Sequence, residues 1–341
     1  MTRVVRAVQR VLRAVASANT VTVTVLAILL ALVAGAVLVV LSNEALVAEY
    51  GYFFGAPGTV LADTWAAVAD AYANLFKGAI VDPADISAAA AGTASWIAVF
   101  GPISETLTYA APLVFTGLAV ALAFRGGLFN IGAQGQAIMG CVGGALVGFL
   151  VPLPPGLHVL VALLGAAVGG ALRVNLGILL GVAATLAVSW LLNRSTTGFE
   201  LRAVGLNPAA ARTAGMDVGR TYVLAMLLAG ALGGLGGGVQ VLGTATKLTG
   251  QVAGQIGFEG ITVALLGRGR PWGVFASAIL FGALHAGGNR MQSRSHVAID
   301  LVIVIQAVIV IFIAAPALVK AIFRLRASRN GAAATGLAKG W

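Results

Sequence analysis

Apolar runs of ~20 residues recur along this chain, and neither face of any run carries the polar stripe that a soluble surface helix needs. Such runs escape water only in lipid or deep inside a very large core. Only 9% of the residues are charged, against roughly 25% in an ordinary soluble domain, so a soluble globular protein is excluded. An outer-membrane barrel is excluded as well, because its strands alternate polar and apolar over ~10 residues. What remains is an all-α polytopic integral membrane protein, since a backbone in lipid must satisfy its own hydrogen bonds.

The formal charge of +10 would point to nucleic acid in a soluble chain. Here it reports orientation, because Lys and Arg collect in cytosolic loops, and no nucleic-acid partner is expected. Arg3, Arg6, Arg10 and Arg13 precede the apolar run Val21 to Leu41, which is longer than the roughly 7–15 residues of a signal-peptide core. The expectation is a basic cytosolic segment over 1–20 and a retained first span. Residues 43–105 hold Glu44, Glu49, Asp63, Asp70, Asp82, Asp85 and Glu105 against a single Lys77, with Pro57 and Pro83 as breaks. This stretch reads as an external insert of short amphipathic pieces.

Further spans are expected at 107–124, 132–152, 176–192, 221–243 and 299–318, with shorter apolar pieces at 157–172, 259–267 and 272–286. Together they predict about eight to nine transmembrane or re-entrant helices in one domain over 21–320, followed by a basic tail over 321–341; pieces below ~17 residues point to broken helices lining a path. Arg194, Arg202, Arg212 and Arg220 place the 193–220 loop in the cytosol, and Lys320, Arg324, Arg326 and Arg329 place the C-terminus there with the N-terminus. The crossing count fails between Gly156 and Leu191, a stretch long for one span and short for two, with Arg173 and Asn175 near its middle. One crossing satisfies the charges there; two do not.

Gly140, Gly144 and Gly148, and again Gly230, Gly234 and Gly238, recur every four residues and predict side-chain-free strips where backbones approach closely. The lone Cys141 can form neither an internal disulfide nor a paired thiol site, and is expected to be a packing residue. His158, His285 and His296 lie far apart, so no metal site is argued. No G-x-x-x-x-G-K-[ST] loop is present, and no nucleophile and base can be paired, so the sequence supports no enzymatic chemistry.

Two segments carry chemistry. In Gly198 to Met216, Asn207 suits an N-cap, Pro208 the first helical position and Gly215 the stop, with Ala209 to Ala211 between. A short helix with a small-residue face and no apolar anchor suits a partner's groove; a solvated connection is the alternative. In Arg125 to Gln136, the amides Asn130, Gln134 and Gln136 enter an apolar span. Amides at membrane depth are costly unless paired, and they offer donors and acceptors to a neutral polar solute; hydrogen bonding between helices alone is the other reading. Ile131-Gly-Ala-Gln-Gly135 is echoed by Ile256-Gly-Phe-Glu-Gly260, either by chance or as the weak internal repeat that transporter halves show near a midplane site.

The run Pro112 to Phe124 leading into Gly127 to Gln136, the phrase Phe199 to Met216, and Val263 to Gly267 resemble the permease subunits of ATP-binding-cassette importers for ribose, branched-chain amino acids and nucleosides. The resemblance is nearest to nucleoside permeases that work with basic-membrane-lipoprotein-type binding proteins, and covers most of 106–320. It implies a type II-like importer permease in a bacterial plasma membrane that moves nucleosides. Simple sugars or branched-chain amino acids are alternatives within the family. A secondary transporter or channel is the alternative outside it, and would call for paired intramembrane charges, whereas only Glu259 and Asp300 lie near spans. The resemblance further implies that Gly205, Leu206, Asn207, Pro208, Ala209, Ala210, Ala211, Ala214 and Gly215 form a coupling helix against a separate ATPase subunit. It places Phe129, Asn130, Gly132, Gln134, Gly135, Gln136, Glu259 and Gly260 along the translocation path. The chain would bind no cofactor, ATP and Mg residing on the ATPase; a second permease, an extracytoplasmic substrate-binding lipoprotein and membrane lipid complete the partners. Two departures stand out: Gln134 occupies a position where relatives often have Glu, and a turn, a span and an external stretch that relatives carry between the regions matching Gly170 and Val174 are missing here. The second agrees with the failed crossing count.

Overall fold

The computed structural model describes residues 20–150, 177–245, 249, 252–298 and 300–323. In chain order the helices are α1 (Thr20–Ser42), α2 (Glu44–Glu49), a 3-10 turn at Tyr50–Tyr52, α3 (Pro57–Ala79), α4 (Pro83–Ala90), α5 (Trp96–Arg125), α6 (Ala133–Leu150), α7 (Gly177–Arg194), α8 (Thr196–Leu206), α9 (Pro208–Thr213), α10 (Val218–Val239) with a π-helical extension Gln240–Ala245, α11 (Ile256–Leu266), α12 (Pro271–Ser295), α13 (Asp300–Ala314) and α14 (Pro316–Ile322). No strand occurs among the described residues. Four helical segments there are long and apolar enough to cross a membrane: Thr22–Ser42, Trp96–Arg125, Gly177–Arg194 and Val218–Thr244. Ile256–Leu266 and Asp300–Phe312 are apolar but shorter. The expected eight to nine crossings are thus not established, and the piece expected at 157–172 lies outside the described residues.

The chain divides into two compact units, residues 1–68 with 300–341, and residues 69–299. Within the first, α13 and α14 pack along α1. Asn43 ends α1 and caps α2, its side chain accepting the Leu46 N–H at 3.2 Å. The span expected as one piece over 299–318 is broken at Ala315, because Pro316 has no N–H to donate and its ring excludes a continuous helix.

The second unit is built around α5. Every residue from Ala110 to Ala123 is buried, as a helix without a polar face must be when helices cover it on all sides. α7, α10, α11 and α12 pack on it. α5 begins at Trp96, well before the position 107 expected for this span: Ser95 caps it by accepting the Ile97 N–H at 3.2 Å, and Pro102 and Pro112 lie within it. Membrane helices tolerate interior prolines because neighbouring groups and local adjustment satisfy the freed carbonyls; here Thr244 Oγ1 donates at 3.4 Å to the Thr108 carbonyl that Pro112 leaves without a helical donor. α12 likewise runs past the expected 272–286, since its polar end has partners. Arg290 pairs with Asp82, and Ser295 donates to Asp70 at 2.7 Å while accepting from Asn74 at 2.9 Å.

The glycine strips are met only in part. A Cβ on Gly140 would strike the backbone of Gly234, and one on Gly237 the carbonyl of Ala137. The side of α10 that carries the contact is Gly230, Gly233 and Gly237, with Gly236 turned to Thr116 of α5. A Cβ on Gly234 or Gly238 would meet nothing. The reason is geometric: with 3.6 residues per turn, a strict four-residue repeat drifts ~40° per step and leaves the seam, whereas alternating steps of three and four stay on it. Cys141 is buried in this seam, its Sγ 3.1 Å from the Gly237 carbonyl.

Candidate functional site

Arg125 ends α5 and donates from Nε to the carbonyl of Gly269 at 3.0 Å, in the turn between α11 and α12 that also holds Arg268 and Arg270. Gly127 adopts φ +75°, and a side chain there would come within 2.9 Å of Gly205 Cα. These contacts gather Arg125, Arg202, Arg268 and Arg270 at one end of α5. Asp82 and Asp70 stand by the far end of α12, where the Ala79 carbonyl accepts from Thr106 of α5 at 2.6 Å.

At the basic end, Asn207 caps α9 by accepting the Ala210 N–H at 3.0 Å, Pro208 takes the first helical position, and Gly215 leaves the helix at φ +83°. Leu206, Asn207, Pro208, Ala209, Ala210, Ala214 and Gly215 are exposed. Ala211 faces inward onto Val204 and Val218, with Met216 and Tyr222 against them. Gly205 is also turned inward, where a side chain would meet the Arg125 carbonyl and the Gly127 nitrogen. Ala211 and Gly205 therefore hold the loop down, and the exposed members make its outer surface.

The two echoed sequences meet in space. Gln134, in the first turn of α6, accepts the Gly257 N–H at 2.8 Å and donates to the Gly254 carbonyl at 2.8 Å. It thereby satisfies one of the N–H groups that the start of α11 leaves without a helical partner. Gly257 fits only because it has no Cβ, which would strike the Gln134 backbone; Gly260 packs as closely on Thr116. Asn130 is buried and donates to Gln136 Oε1 at 3.0 Å, while Gln136 lies across Gly233. Gly132 lies against the Asn130 carbonyl oxygen and Gly135 meets nothing. Phe129 is largely exposed and stacks on Phe124 with centroids 5.5 Å apart. Gln134 thus spends its amide on backbone, whereas Asn130 and Gln136 share one bond that leaves the buried Asn130 Oδ1 without a hydrogen-bond partner.

Glu259 behaves differently. Its Oε2 lies 3.2 Å from His285 Nε2 on α12, and the His285 ring stacks on Tyr109 of α5 with centroids 5.8 Å apart. Tyr109 OH accepts from Asn289 Nδ2 at 3.0 Å. The sequence reading missed Tyr109, His285 and Asn289. The available signal was a polar pair, His285 and Asn289, one turn apart where the apolar stretch of α12 gives way to its polar end. Among the described residues no group of His, Cys, Asp and Glu could hold a metal ion.

The family described as "Branched-chain amino acid transport system / permease component" matches residues 170–314. The guanosine ABC transporter permease protein NupP of Bacillus subtilis is 32% identical, over 67% of this chain and 86% of its own length. The nucleoside ABC transporter permease protein NupB of Lactococcus lactis is 31% identical over 62% of this chain and 79% of its own length. The glucose ABC transporter permease protein TsgB13 of Haloferax volcanii is 28% identical over 62% and 75%. The same two bacteria each hold a second permease that matches 28% and 30% of this chain. No solved structure matches. For NupP, 67% of 341 residues is about 228, spread over 300 aligned positions, so about 70 positions of the relative stand opposite none in this chain.

Proposed function

Because the chain belongs to the permease family of ATP-binding-cassette importers, we propose that it forms part of a nucleoside path and is driven through its 193–220 loop by a separate ATPase subunit. The observation that carries the reading is the Gln134 bridge between the starts of α6 and α11, two helices that begin from non-helical backbone inside the unit. Broken helices of this kind place backbone dipoles and amides at a solute site while protein, not lipid, covers the irregular backbone. The chain performs no covalent chemistry. The exposed face of α9, made of small residues behind an Asn207 cap, is the surface for the ATPase. A second permease completes the membrane assembly, and a binding protein outside the cell delivers the solute. In this reading the basic end of the second unit and both termini face the cytosol of a bacterium, and ATP with Mg is held by the ATPase.

Nucleosides are favoured as solute by the printed names of NupP and NupB; TsgB13 keeps a simple sugar as the second reading. The test is affinity purification of the tagged chain from its native membrane in mild detergent, with mass spectrometry and an ATPase assay. Recovery of an ATP-binding subunit and a second permease, with activity stimulated by a nucleoside-loaded binding protein, is the expected result. Recovery of the chain alone overturns the reading.

A further inference from the structure

Tyr109, Glu259, His285 and Asn289 come from three different helices and meet halfway along the second unit. At 1.5 Å per residue, His285 lies about 21 Å from the start of α12 and Tyr109 about 24 Å from the end of α5. In a hydrocarbon core ~30 Å thick, that puts the cluster in the half of the span away from the basic end. A carboxylate there is costly, and such groups face the bundle interior or a water-filled cavity. A purely structural network at this depth would be sealed, as Thr116 and Asn130 are. Here the His285 and Glu259 side chains keep 22% and 23% of their surface, and Asn289 is exposed.

The chemistry of the set narrows its ligand. His285 orients the carboxylate through Oε2, leaving a two-oxygen acceptor that suits adjacent hydroxyl groups. The stacked Tyr109 and His285 rings present an aromatic border to a planar ring, and Asn289 adds an amide. A branched-chain amino acid could set its ammonium on Glu259 but brings neither adjacent hydroxyls nor a planar ring, and a simple sugar brings the hydroxyls without the planar ring. We propose that Tyr109, Glu259, His285 and Asn289 form a ribonucleoside-contacting subsite in that half of the span, Glu259 accepting from the ribose hydroxyls and the two rings bordering the base. The inference rests on the nucleoside reading above and assigns the contacts within it.

The test uses the complete transporter in proteoliposomes, with guanosine and 2′-deoxyguanosine each presented on saturating binding protein. Loss of a charge-assisted hydrogen bond is expected to lower guanosine uptake by E259Q about 10- to 100-fold, with a much smaller change for 2′-deoxyguanosine, so that preference for the ribose 2′-hydroxyl disappears. E259D should recover part of it. Co-purification of the ATPase with each variant shows that the assembly is intact. An unchanged preference in E259Q and H285A overturns the subsite while leaving nucleoside transport standing. A wild-type complex that moves glucose and no nucleoside overturns both.

Discussion

Replacing Gln134 by Ala removes a side chain that ties the start of α6 to the start of α11, and its cost can be worked from the contacts. Two hydrogen bonds of 2.8 Å are lost, each with a net value of about 0.5–1.5 kcal/mol. Gly254 is exposed, but Gly257 is buried, and its N–H lies in the first turn of α11 with no helical acceptor. Leaving that donor unsatisfied puts the local cost toward about 2–3 kcal/mol. Opening of the α11 start should then be about 30- to 150-fold more frequent, at a factor of ten per ~1.4 kcal/mol. Hydrogen exchange with mass spectrometry on the assembled complex reads this directly: peptides covering 254–262 should exchange faster by that factor, and peptides covering 203–214 should not change. Gln134→Glu keeps an acceptor for the Gly257 N–H but turns an oxygen toward the Gly254 carbonyl, so an intermediate effect is expected. Exchange over 254–262 that stays within threefold of wild type in Gln134→Ala would refute the claim that this bridge joins the two helix starts.

Three further outcomes follow from the packing and the charges. Gly237→Leu should lower stability in detergent by at least about 2 kcal/mol, because its Cβ has only the Ala137 backbone to enter, whereas Gly238→Ala, facing open space, should be neutral or stabilising; equal thermal midpoints would sink the seam. At Asp82 burial raises the carboxyl pKa, but the Ala84 N–H and the charges of Arg290 and Lys77 outweigh it and leave it below the ordinary value. A depressed carboxyl contributes stability that is present above its unfolded pKa and lost as pH falls through the folded one, so the contribution should begin to fall near about pH 4 and be gone once pH has passed the lower folded value. Acid melting curves of Asp82→Asn should lack that limb, and identical curves would count against the Arg290 pair. Asn207→Ala removes the cap of α9 at about 1 kcal/mol, and the yield of co-purified ATPase subunit should fall; an unchanged yield would show that α9 order does not matter for docking.

Local signals were readable wherever the physics is local. Asn207, Pro208 and Gly215 mark α9 in the sequence because capping, a fixed φ and left-handed backbone each depend on one residue. The amides at Asn130, Gln134 and Gln136 were legible as costly groups in search of partners, but which partners they would find was not: Gln134 answers to backbone more than a hundred residues away. Glu259 and His285 could not be paired from the sequence, because only the packing of α11 and α12 on α5 brings them together. The start of α5 was misjudged for a related reason. Glu105, the last of the acidic residues that begin at Glu44, read as the end of an external insert, whereas the helix starts at Trp96 and persists through Pro102 and Pro112. The four-residue glycine repeat was visible, yet the helical period moved the seam to Gly230, Gly233 and Gly237.

Gly205 and Gly127 touch backbone to backbone where α8 meets the end of α5. A joint between side chains is compliant, since rotamers can absorb a displacement of an ångström before anything beyond them moves. A joint between two bare backbones has no such slack. Any force applied at α9 would pass through it undamped into the strip that begins at Leu128 and runs to Gln134, and from there across one amide to α11. Thickening the joint by a single methyl group would therefore do more than crowd it; it would change the rest position of everything the lever drives.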